Sequence, residues 1–111
     1  MSPRTAQYSK QELEAMLRSE DTKVATDALL YLCFNIDDLE WIQVKCVEVI
    51  EKHRNGDIKG LALTCIGHVA RMHKVIDESL VIPVLFKMLK HSTLSGRARD
   101  ALDDIDIFIN R

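Results

Sequence analysis

The chain has 111 residues, of which 47% are hydrophobic and 29% charged, and its formal net charge is −2. These values indicate one ordinary globular domain and argue against a disordered chain or a dedicated nucleic-acid binder. Three cysteines, each inside an apolar helical pattern, predict reduced core thiols. With no signal peptide or membrane-spanning stretch recognisable, we predict a cytoplasmic protein without membrane contact.

Six amphipathic helices are predicted from apolar residues spaced three and four apart. Ser9 and Glu12 form a capping box for the first helix, and Asp38 and Asp57 are the predicted N-caps of the third and fourth. Pro83 has no amide hydrogen, so the fifth helix is expected to begin near 79–80 or to bend there. After a polar lead-in over 1–8, the predicted helices are 9–18, 22–35, 38–53, 57–74, 79–90 and 95–109.

An internal repeat relates the second, fourth and sixth helices, because a shift of 36 or 37 residues superimposes their apolar positions. A repeat of two-helix length predicts three antiparallel helix pairs in a single domain. The match also predicts that Cys65, Ala101 and Leu61 are buried. The matched residues are Ala28, Leu29 and Leu32; Cys65, Ile66 and Val69; and Ala101, Leu102 and Ile105. The predicted repeats are about 9–36, 38–74 and 78–109.

Two segments, VIPVLFKML over 81–89 and DIKGLALTCIG over 57–67, resemble the HEAT-like family of α-helical repeats. Residues Val81–Leu89, VIPVLFKML, match the xxPxLxxLL run of that family's first helix. The resemblance covers nearly the full chain and implies an all-α fold, a short HEAT-like α-solenoid of three antiparallel helix pairs. It says almost nothing about function, because one fold hosts many functions. The residues that match the family's second helix are Asp57, Ile58, Lys59, Ala62, Ile66 and Gly67.

Three shorter segments, FNIDD over 34–38, Trp41 and DDI over 103–105, resemble immunity proteins of bacterial polymorphic toxin systems, including those of contact-dependent growth inhibition. The resemblance implies a cytosolic inhibitor that binds a cognate toxin, with a basic nuclease domain as the leading hypothesis. The alternative is a HEAT-like adaptor or regulatory module for an endogenous enzyme, and an enzyme ranks third. The matching residues are Phe34-Asn35-Ile36-Asp37-Asp38, Trp41 and Asp103-Asp104-Ile105.

No pattern typical of catalysis is recognisable: the sequence has neither a Ser-His-Asp nor a Cys-His arrangement, and no glycine loop for phosphate. Cys65 and His68, three residues apart, are a candidate metal pair. Cys65 lies on the apolar stripe and no second pair closes the site, so a core thiol is favoured. We therefore predict no enzymatic activity, no metal and no cofactor.

The repeat also predicts a polar strip across the second helices of the three pairs. Its offset aligns residues of these helices in rows one turn apart, and 24–44 and 100–110 contain no Lys or Arg. An acidic strip suits a cationic protein partner, although it is also what ordinary solvated helix faces would give. Trp41 is predicted to be partly exposed, as interface anchors often are. The rows are Asp27, Thr64 and Asp100, then Tyr31, His68 and Asp104. The candidate partner-binding residues are Asp27, Tyr31, Asp37, Asp38, Trp41, His68, Asp100, Asp103 and Asp104.

Overall fold

The computed structural model describes residues 7–110, and every regular element in that range is an α-helix, as the sequence predicts. Residues 1–6 of the predicted lead-in lie outside the described range. The principal extents are 44 × 29 × 22 Å. The helices are α1 (Lys10–Leu17), α2 (Thr22–Asn35), α3 (Leu39–Lys52), α4 (Gly56–His73), α5 (Glu78–Met88) and α6 (Ser95–Phe108).

Two of the predicted helix starts are confirmed in atomic detail. The Glu12 amide donates to Ser9 Oγ at 3.1 Å, and the Ser9 amide donates to Glu12 Oε1 at 2.9 Å, which completes the capping box of α1. Asp38 Oδ1 accepts from the Trp41 amide at 3.1 Å and caps α3. Both side chains satisfy first-turn amides that have no partner within the helix.

The predicted N-cap of α4 is wrong. Asn55 Oδ1 accepts from the amides of Asp57 and Ile58, at 2.8 and 3.2 Å, so the helix begins at Gly56. Because an asparagine side chain reaches the amides two and three residues ahead, Asn55 occupies the capping position before Asp57 can. Asp57 lies in the first turn, where its negative charge still favours the helix N-terminus.

The start of α5 is set by Asp77 rather than by the proline. Asp77 Oδ1 accepts from the Leu80 amide at 3.2 Å and from the Ser79 hydroxyl at 2.7 Å, and the helix begins at Glu78, earlier than predicted. Pro83 lies inside α5 and is exposed. The helix therefore tolerates the loss of the one internal hydrogen bond that proline cannot make.

Helix α4 is the central packing element. It packs against α2, α3 and α6, while α1 packs on α2 and α5 packs on both α3 and α6. Cys65 and Ala101 are 3% and 2% exposed, as predicted, but Leu61 is only partly buried. The prediction for Leu61 is wrong because Leu61 shares one side of α4 with Thr64 and His68, the side that neighbouring helices leave open.

Candidate functional site

Helices α2 and α4 lie side by side and run in the same direction. At their starts, Asn55 Nδ2 donates to Thr22 Oγ1 at 3.3 Å. Near the other end of α2, the rings of Phe34 and His68 meet edge to face, with centroids 4.7 Å apart. Both contacts come in the same order along the two helices, so the helices are parallel and the C-terminal half of α2 lies against the middle of α4.

Helices α4 and α6 are parallel in the same way. Arg97 Nη1 donates to Thr64 Oγ1 at 3.1 Å, and two turns further along Arg71 Nη1 donates to Asp104 Oδ2 at 2.6 Å. The Arg71–Asp104 contact is an ion pair with exposed side-chain fractions of 41% and 18%. Helices α2, α4 and α6 together therefore present one surface, which we call the α2/α4/α6 face.

Two glycines allow side chains of α6 to cross onto α4. A Cβ atom at Gly67 would lie 2.6 Å from Asp104 Oδ2, and one at Gly60 would lie 3.0 Å from the Cδ atom of Arg97. A residue with a side chain at either position would displace the α6 group above it. The charged half of the face therefore depends on these glycines of α4.

The α2–α4 half of the face exposes large apolar side chains. Phe34 is 63% exposed, Leu30 one turn before it is 41% exposed, and Met72, one turn after His68, is 64% exposed. Side chains four residues apart lie on one side of a helix, so Leu30 and Phe34 share one side of α2 and His68 and Met72 share one side of α4. An exposed apolar group of this kind is typical of a protein-interaction surface.

His68 is half-buried beneath the Phe34 ring. Burial lowers the pKa of its imidazole, and the positive charges of Arg71 and His73 lower it further. The neutral form of His68 is therefore favoured, which suits an apolar neighbour.

The acids of the predicted strip divide into two groups. Asp27 pairs with Lys23 at 2.8 Å, Asp38 pairs with Lys10 at 2.6 Å, and Asp104 pairs with Arg71 as described above. The Lys10 ammonium, followed by the Trp41 amide, holds the pKa of Asp38 below its usual value. The acids that are exposed and form no ion pair with another described residue are Asp37, Asp100 and Asp103.

The two predicted aromatic residues are half-buried and contact the start of the chain. The Tyr31 ring meets that of Tyr8 edge to face at 5.1 Å. Lys10 Nζ and Lys45 Nζ lie 5.3 and 5.8 Å from the centre of the Trp41 ring, within cation–π range. The predicted partial exposure of Trp41 is confirmed. Trp41 is also held by the α1 and α3 lysines, so it supports the fold independently of any partner.

Sequence reasoning missed the apolar and basic members of the face. Leu30 and Phe34 lie off the apolar stripe of α2, and a large apolar residue off the stripe is the available signal for exposure. Arg71 donates to Asp104 and Arg97 donates to Thr64, and each partner lies on the neighbouring helix, 33 residues away in sequence. The repeat offset of 36–37 aligns backbone positions and therefore does not reveal these cross-helix pairs.

A groove of about 770 Å³ opens elsewhere, between α1, α3 and the turn before α4. Lys45 within it pairs with both Glu14 and Glu48. Burial has the largest single effect and opposes the charge on Lys45, but the two carboxylates outweigh it and raise the pKa of the ammonium. The charges of the groove interior are therefore already engaged. The cationic residues on its rim are Arg18, Lys52 and Arg54.

Other kinds of site find no support in the described range. Within residues 7–110, no three His, Cys, Asp or Glu side chains are placed to share a metal ion. No helix in that range combines the length and the apolar character that crossing a bilayer requires. The predicted absence of a metal, a cofactor and enzymatic activity stays a prediction. No protein-family model, curated protein sequence or solved structure matches the chain.

Proposed function

We propose that the chain is a cytoplasmic immunity protein, which binds a cognate bacterial toxin and blocks it by protein–protein contact without catalysing a reaction itself. The toxin would be a nuclease domain with a cationic substrate groove. The α2/α4/α6 face would be the contact surface.

The observation that carries this proposal is the exposed apolar group beside acids without ion-pair partners. Phe34 and Met72 are both more than 60% exposed. On the α6 side of the same face, exposed Asp100 lies one turn before Asp104, and exposed Asp103 lies at the edge. Protein interfaces commonly combine a central aromatic or Met anchor with a charged rim. The face has both parts on one surface.

The charge of the face favours a cationic partner. Asp100 and Asp103 form no ion pair within residues 7–110, so their charges are available to a partner. A nuclease must hold phosphates with positive side chains, and an acidic surface competes for that groove and speeds encounter. A nuclease is therefore the toxin class that fits the surface best.

The packing supports the short HEAT-like solenoid of three antiparallel helix pairs as the architecture behind this face. Helices α2, α4 and α6 lie side by side, and α4 packs on both α2 and α6. Stacked helix pairs place equivalent helices next to each other and build a continuous binding surface from them. The proposed repeats are 9–36, 38–74 and 78–109.

The experiment is co-expression with the product of the gene directly upstream, where the proposal expects the cognate toxin. The proposal predicts that the chain restores growth and co-purifies with the toxin domain as a stable complex. Failure to bind and failure to protect would contradict it. Binding an endogenous enzyme without protecting against the toxin would favour the adaptor alternative.

A charge-reversal pair locates the interface within that experiment. Asp100→Lys with Asp103→Lys should weaken binding, and the loss should shrink as salt is raised because screening already removes part of the attraction. Asp104 is avoided since its charge is used by Arg71. Glu20→Lys with Glu51→Lys is the matched control, with the same charge change at two other exposed acids. Equal effects of both pairs would move the interface away from α6.

A further inference from the structure

The three cysteines, far apart in sequence, lie on three helices that pack together in the core. Cys33 of α2, Cys46 of α3 and Cys65 of α4 are 4%, 0% and 3% exposed. Helix α4 packs against both α2 and α3, and the Cys65 thiol interacts with the thiols of Cys33 and Cys46. Cys65 is therefore the shared member of a three-thiol cluster.

A surface contact independently shows that α2 and α4 are adjacent near Cys33 and Cys65. Phe34 follows Cys33 on α2, and His68 lies one turn after Cys65 on α4. The rings of Phe34 and His68 touch, with centroids 4.7 Å apart, so the backbone of α2 beside Cys33 lies against the turn of α4 that follows Cys65. The thiol pair therefore lies next to the apolar half of the α2/α4/α6 face.

We propose that Cys33 and Cys65 form a redox modification site, at which hydrogen peroxide converts the two thiols into one intramolecular disulfide. The Cys33 sulfur attacks peroxide, becomes a sulfenic acid and releases one water. The Cys65 sulfur then attacks the sulfenic sulfur, forms the S–S bond and expels a second water. Two thiols lose two protons and two electrons, and one peroxide takes them up to become two waters.

Cys33 and Cys65 are chosen over Cys46 because both retain a small exposed fraction and Cys46 retains none. The Cys65 thiol and burial raise the pKa of Cys33 well above its usual range, and Arg71 opposes them only weakly. The thiolate is the reactive form, so the pair stays reduced under ordinary conditions and reacts with peroxide slowly. A disulfide would covalently join the two helices that present Phe34 and His68.

The test is to treat the purified full chain with hydrogen peroxide at mildly alkaline pH and then to count its free thiols by N-ethylmaleimide labelling after denaturation. The untreated chain should take three labels and the oxidised monomer one. Tryptic mapping then assigns the bond, because each cysteine falls in its own peptide. The cleavage sites that separate the cysteines are Lys23, Lys45, Lys52, Lys59 and Arg71.

Single variants sharpen the assignment. Cys46→Ala should still form the disulfide and lose both remaining thiols to it, whereas Cys33→Ser and Cys65→Ser should stay fully labelled. Should Cys65→Ser fail to fold, the labelling of Cys33→Ser and the tryptic map of the parent chain test the assignment of the disulfide instead. Three free thiols after treatment, a Cys46–Cys65 bond alone, or a disulfide between two chains would each overturn the proposal.

Discussion

Along the junction of α2 with α4 the exposed side chains are apolar, whereas along the junction of α4 with α6 they are charged. Phe34 covers His68 on the first side. On the second side Arg71 pairs with Asp104, and Gly67 leaves the space that the carboxylate occupies. The two halves are built on the same helix and related by the same sequence repeat.

The difference shows that positions which the predicted repeat makes equivalent need not carry equivalent chemistry. Between α4 and α6, glycines allow long polar side chains to bridge the helices, so an ion pair and a hydrogen bond connect the two helices. Between α2 and α4, Phe34 and Met72 keep more than 60% of their surface exposed, so much of their apolar area is left for a partner to bury. The α2–α4 half is therefore the better candidate for an anchor that only a partner buries.

The largest expected effect distinguishes two leucines on opposite sides of α4. Leu63 is 0% exposed and Leu61 is only partly buried. Leu63→Ala should lower the free energy of unfolding by about 2–5 kcal/mol because it leaves a core cavity. Leu61→Ala, whose site is open to solvent, should cost less than about 2 kcal/mol. Urea unfolding of both variants measures the difference, and equal losses would mean that the open side of α4 is misassigned.

A smaller effect is expected from the charged half of the face. Asp104→Asn removes the charge that pairs with Arg71, and a partly exposed ion pair of this kind contributes about 0–1 kcal/mol to the free energy of unfolding. The loss should shrink at high salt. Denaturant unfolding of Asp104→Asn, Arg71→Gln and the double variant gives the pairwise coupling. The expected coupling is about 0.2–1 kcal/mol at low salt. A coupling below that range would show that the pair does not stabilise the packing of α6 on α4.

The smallest expected effect is a pH dependence from the apolar half. The pKa of His68 is lowered in the folded chain, so the unfolded chain binds the proton first as pH falls below about 6.5. The stability contributed by neutral His68 is complete above that pH and is lost as pH falls toward the lowered folded pKa. His68→Gln should therefore flatten the decline in unfolding free energy over this window.

The control for that measurement is His91→Gln, since His91 is exposed on the turn before α6. This variant should keep the pH slope of the parent chain. Identical slopes for the parent and His68→Gln would contradict the assignment of the slope to His68.

Much of the fold could be predicted because local chemistry determines it. The spacing of apolar residues identifies the six helices, and the Ser9–Glu12 box and the Asp38 cap mark their starts with side chains that satisfy nearby amides. The start of α4 was harder, because Asn55 and Asp57 are both good caps and only the three-dimensional turn selects between them. Pro83 is accommodated because it faces solvent, which sequence alone does not reveal.

The candidate site was less predictable because it depends on contacts between helices. The repeat alignment placed α2, α4 and α6 together in the prediction, and α4 does pack against α2 and α6. The arginines that reach Thr64 and Asp104 are 33 residues from their partners, whereas the repeat offset of 36–37 aligns other residues with them. The exposure of Phe34 depends on how much of α2 is covered by α4, and no local sequence pattern specifies the extent of that cover. The convergence of three cysteines is likewise a property of packing.

The most direct test of the α2/α4/α6 face as the binding surface compares two exposed phenylalanines. Phe34 on α2 and Phe86 on α5 are 63% and 55% exposed, so truncating either should barely change helicity or melting temperature. Titration with the toxin domain should show at least about a tenfold loss of affinity, about 1.4 kcal/mol, for Phe34→Ala. Phe86→Ala should bind as the parent does. Unchanged binding by Phe34→Ala, or an equal loss for both variants, would contradict the assignment of the interface to this face.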